Sequence, residues 1–133
     1  MHYFFDAVAF SIREKAKLVA ELYEKTTSIG NTKGIRARSE LLKRMVEIIA
    51  LLGEDTGKGG TEQGGDNGNW DADNEVLQQM IKKTHPKLMD ARFADEVLAI
   101  WNRNKDNEEH AKIVTEAVNA WAEYVVEKTA SDV

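Results

Sequence analysis

The chain has 133 residues, 42% of them apolar and 31% charged, with a net charge of −5 and no cysteine. That length suits one domain with a real core, well away from the disordered class. Zero cysteines exclude a disulfide framework, a thiolate metal site and a cysteine nucleophile, and they suit a reducing, cytoplasmic compartment.

The N-terminal words MHYFFDAVAFSIREK are apolar but have no positive leader, carry Asp6 in their midst and show no small-residue cleavage pattern, which reads against a signal peptide. No apolar run approaches the 18 or more residues of a membrane span, so no membrane is expected as a partner. Charge is unevenly spread. Up to Met45 nine Lys and Arg face five acids, and from Val46 onward nine face eighteen, so a +4 block precedes a −9 block. Such asymmetry predicts either a basic contact face or head-to-tail attraction between copies.

From Tyr3 to Thr27 apolar residues recur every three or four positions (Phe5, Val8, Ile12, Val19, Leu22), a helix period. Ser11-Ile12-Arg13-Glu14 is a capping box in its own right, and a helix starting there would leave Met1 to Phe10 as an apolar arm. The turn residues of Thr26 to Gly34 predict a break. A second helix is expected over Ile35 to Leu52, with a stripe of Leu42, Met45, Ile49 and Leu52 and with Gly53 as the residue that ends it.

Gly53 to Asn74 holds seven of the nine glycines and little to bury, so it reads as a long exposed loop. Asp71 and Asp73 are candidate caps for a short helix over Glu75 to Lys83. Pro86 stops that helix and is placed to open the next, about Lys87 to Arg103. Asp106-Asn107-Glu108-Glu109 reads as a capping box for the last, which runs to about Lys128. The expectation is an all-α, bundle-like single domain of five helices: a hairpin (1–52), the Gly-rich acidic loop (53–74) and a block of three shorter helices (75–133).

Motifs for chemistry fail on spacing. Gly53 to Gly59 lacks the four-residue interval and the hydroxyl of a phosphate loop. Asp66, Asn67, Asn69, Asp71, Asp73 and Glu75 crowd oxygen ligands together without the Gly and Glu positions of an EF-hand, leaving only a looser oxygen site. Glu108-Glu109 begins like the EExxE of all-α nucleotide pyrophosphohydrolases, but Lys112 occupies the last place and no ExxD follows. His2, His85 and His110 share no zinc-like spacing, and no serine has a GxSxG setting. No catalytic residue, metal or cofactor is expected.

Two clusters are singled out for binding. Lys33, Arg36 and Arg38 at the start of the second helix, continued by Lys43 and Arg44, place cations at the positive end of a helix dipole, a candidate site for a phosphorylated ligand or nucleic acid. Tyr3, Phe4, Phe5 and Phe10 put large rings around a helix, which suits a protein partner or a second copy, and Trp70 stands alone in a polar context, where it either folds back as an anchor or is offered to a partner. The leading expectation is a non-catalytic interaction protein that forms homo-oligomers, of a size and make-up that suit a phage or mobile-element accessory protein. The alternatives are anion or nucleic-acid binding, and a metal-dependent hydrolase using acidic residues.

Overall fold

The computed structural model describes residues 3–29, 33–55 and 69–132, with side chains described for 11–29, 34–53 and 69–131. Five α-helices account for most of these residues: α1 (Tyr3–Ile29), α2 (Lys33–Asp55), α3 (Trp70–Lys82), α4 (Phe93–Asn104) and α5 (Glu108–Asp132), with a 3-10 turn at Pro86–Met89. Among the described residues there is no strand, and the all-α bundle is the observed architecture. The Gly-rich stretch from 56 to 68 lies outside the described residues.

α1 packs most extensively on α2 and next on α5. Gly53, near the far end of α2, lies against Ile12 and Arg13, so the first two helices form an antiparallel hairpin. Ser11 meets Asn119 and Lys15 meets Glu123, a step of four on each helix, so α1 and α5 run in the same direction. The core joins all five helices. Ile12, Leu42, Met45, Leu52, Leu77, Val97, Trp101, Val118 and Trp121 are sealed within it, and the 3.6-residue spacing of these positions explains why the segments are helical at all.

α1 runs unbroken through Ser11, as the spacing from Tyr3 to Thr27 predicts, and the Ser11 hydroxyl accepts a hydrogen bond from Asn119 in place of capping a new helix. Helix boundaries depart from the sequence expectations in three places. α2 continues through Gly53 to Asp55. α3 starts at Trp70, one turn earlier than expected, because the Asn69 carbonyl takes the Asp73 amide while the Asp73 side chain turns inward. Pro86 opens only a 3-10 turn, capped by the His85 Nδ1, which accepts from the Lys87 amide at 3.0 Å. There Asp90 Oδ1 accepts from the Arg92 amide at 2.9 Å, a local turn that competes with helix and delays α4 to Phe93.

The exit from α3 uses an unusual residue. Lys83 adopts φ 61°, and the amides of Lys83 and Thr84 return to the carbonyls of Met80 and Gln79. That is the left-handed helix stop that glycine normally supplies.

Candidate functional site

α2 is apolar around more than one side, and the bundle does not cover all of it. Leu41, Leu42, Met45, Ile49 and Leu52 go to the core. Ile48 and Leu51 point toward α4, whose Ala94 and Leu98 complete an apolar floor. The two helices touch at few points compared with the hairpin, and between them lies a groove of about 470 Å³. Glu40, Lys43 and Glu47 stand exposed along its α2 edge.

One end of the groove is pinned by a charge pair. Arg44 donates to Asp95 Oδ2 at 2.9 Å, and the Ala91 carbonyl lies 3.5 Å from the same guanidinium nitrogen. The helical spacing alone offers Glu40 as the partner of Arg44; α4 supplies a better placed carboxylate. An exposed pair of this kind adds well under 1 kcal/mol. It does fix where Arg44 points, which is across the groove and away from solvent-borne anions.

Of the five cations singled out from sequence, the four with described side chains do not all share one side of α2. With about 100° between successive helical residues, Arg38 sits on a different side of α2 from Arg36 and Lys43. Arg36 is exposed and Arg38 half-buried, and each already has an interaction partner within the chain. Lys43 and Arg44 reach the groove, in the company of three carboxylates. The side chain of Lys33 lies outside the described residues, as do those of Tyr3, Phe4, Phe5 and Phe10.

Trp70 is not an isolated indole. It opens α3, packs against the core, and lies face to face with His110, centroids 3.6 Å apart and planes within 5°. His110 is held there by the start of α5, where the Asn107 carboxamide oxygen accepts from the His110 amide at 3.0 Å. A second aromatic chain joins His85 to Phe93 (5.2 Å) and Phe93 edge-on to Trp121 (5.7 Å).

The oxygen-rich stretch is described only from Asn69 onward. Asp66 and Asn67 lie outside the described residues. Asp73 is buried and spent: Arg103 grips both its oxygens at 2.7 and 3.1 Å, and Asn104 adds a third bond at 3.1 Å. Among the described residues no three His, Asp or Glu side chains are grouped to hold a metal ion. The groove itself was missed in the sequence because Leu51 and Leu98 carry the same helical spacing as the core residues beside them. Which apolar residue stays half-open depends on how α2 and α4 diverge.

No known family, curated protein or solved structure matches this chain.

Proposed function

We propose that this chain is a non-catalytic helical interaction protein that associates with copies of itself. The observation that carries the reading is the groove, in which Leu51 and Leu98 remain half-open beside the buried Ile48 and Ala94. α1 adds to it. Leu18 is 46% exposed, a large apolar side chain that the bundle leaves open.

In this reading the protein works in the cytoplasm, consistent with its lack of cysteine. Among the described residues no helix is long and apolar enough to cross a membrane. Sedimentation equilibrium or light scattering at high micromolar concentration tests self-association. A mass at a multiple of 15.0 kDa supports it, and a monomer throughout refutes it.

A further inference from the structure

We propose that the α2–α4 groove is the self-association face, and that it meets its own copy across a two-fold axis. This rests on the self-association reading above and adds the surface, the symmetry and the residues. A two-fold contact must be self-complementary: whatever position i offers to j, j must offer back to i. The exposed edge of α2 meets that condition. Lys43 and Glu47 are opposite in charge, both exposed on the groove rim, and one helical turn apart. Two antiparallel copies of α2, crossed by the axis at the level of Met45, place each Lys43 beside the other copy's Glu47, giving two equivalent ion pairs.

Arg44 does not disturb this arrangement, because Asp95 of its own chain neutralises it. Behind the charged edge the Arg44–Asp95 pair lies close to the axis, and Leu51 and Leu98, nearly two helical turns farther along, supply the apolar part of the contact on each flank. The opposed charges of the two sequence blocks favour head-to-tail attachment, which builds rings of several copies or open filaments. A face that complements itself closes at two. The apolar area is modest and the ion pairs are exposed, so the dimer is concentration-dependent, with a dissociation constant on the order of micromolar.

The test uses the full chain and measures its dissociation constant by sedimentation at low salt. Lys43→Glu places two carboxylates opposite each other at both contacts and should weaken the dimer about tenfold. The double variant Lys43→Glu with Glu47→Lys restores opposite charge at the same points, and its affinity should return to that of the parent. Leu98→Glu, which puts a charge into the floor, should leave a folded monomer. Circular dichroism melting of each variant keeps loss of association apart from loss of fold. Undiminished association in both Lys43→Glu and Leu98→Glu would overturn the face while leaving self-association standing. A failure of the double variant to recover would overturn the two-fold pairing, and a monomeric parent would remove both.

Discussion

Arg103 holds Asp73 by both carboxylate oxygens, Nη2 to Oδ1 at 2.7 Å and Nε to Oδ2 at 3.1 Å, and so ties the last turn of α4 to the first turn of α3. The two ends of the pair live in different surroundings. The Asp73 side chain is 5% exposed and the Arg103 side chain 39%. Asn104 adds a bond to Asp73 while also donating to the Ile100 carbonyl at 2.7 Å. The carboxylate raises the Arg103 pKa still further, chiefly through their hydrogen bond.

This asymmetry predicts unequal costs. Arg103→Ala takes two charge-assisted bonds from a buried carboxylate and should cost about 3 kcal/mol, the lower end for a broken buried pair because water reaches the vacated side. Asp73→Ala releases an arginine that is already partly in water, and should cost roughly 1 kcal/mol. Urea unfolding at neutral pH measures both. Equal effects would mean that the burial of Asp73 has little energetic weight.

Trp121 is fully buried and its Nε1 donates to the Leu88 carbonyl at 2.7 Å, fastening the 3-10 turn to the middle of α5. Trp121→Phe keeps the aromatic contact with Phe93 but loses the donor and leaves a void. We expect a loss of about 2–3 kcal/mol, the sum of an unpaired carbonyl and a partial cavity. Hydrogen exchange should quicken first at Leu88 and Met89, and uniform quickening across the bundle would count against so local a role.

The Asp90 turn carries a pH dependence. The Arg92 amide and then its guanidinium hold the Asp90 carboxyl below its ordinary 3.8, against a slight opposing effect of desolvation. A carboxylate whose pKa is lower in the folded chain adds stability that is complete above the unfolded value. That stability is lost as pH falls through the folded one. Acid should therefore loosen the entry to α4 below about pH 3.8. A carboxyl-carbon NMR titration should place Asp90 below the ordinary carboxylate value of 3.8, and Asp90→Asn should remove that part of the acid sensitivity.

Trp70 and His110 make a prediction about order near the end of the Gly-rich stretch. Offset or parallel ring pairs contribute about 0.5–1.5 kcal/mol beyond their buried area. His110→Ala should lower stability by about that much and change the Trp70 emission, since the imidazole lies directly on the indole face. Emission identical to the parent in a Trp101→Phe, Trp121→Phe background would place Trp70 elsewhere.

How much of this was legible in the sequence follows from the range of each interaction. The five helices and nearly all of their core positions were written in local spacing: Ile12, Val19, Met45, Ile49, Trp101 and Trp121 each belong to a stripe that any helix must bury on one side. The ends were not. Lys83 stops α3 in a conformation that residue type argues against, and only its tertiary setting, including Glu123 at 3.6 Å from its ammonium, makes that exit the stable one. Asp73 had the composition of a cap and became a buried anion because Arg103, thirty residues on, reaches it. The basic cluster around Lys33 to Arg44 was visible as composition, and helical spacing sets Arg38 apart from Arg36 and Lys43, but the capture of Arg44 by Asp95 depends on where α4 lies.

Gly53 offers the sharpest test of the helix boundaries. A glycine after an apolar run ordinarily ends a helix in the left-handed conformation, and there a side chain would be strained. Here α2 continues two residues further, and a methyl group added at Gly53 would meet Arg13 Cγ at 3.7 Å and Ile12 Cγ2 at 4.0 Å. Both are ordinary van der Waals distances, so the hairpin has room for the extra carbon. Alanine in place of glycine within a helix gains about 0.5–1 kcal/mol from reduced backbone freedom in the unfolded chain, and the added contact with Ile12 works in the same direction. Gly53→Ala should thus raise the melting temperature by a few degrees. A destabilised variant would show that Gly53 is a left-handed stop after all, and would return the end of α2 to Leu52.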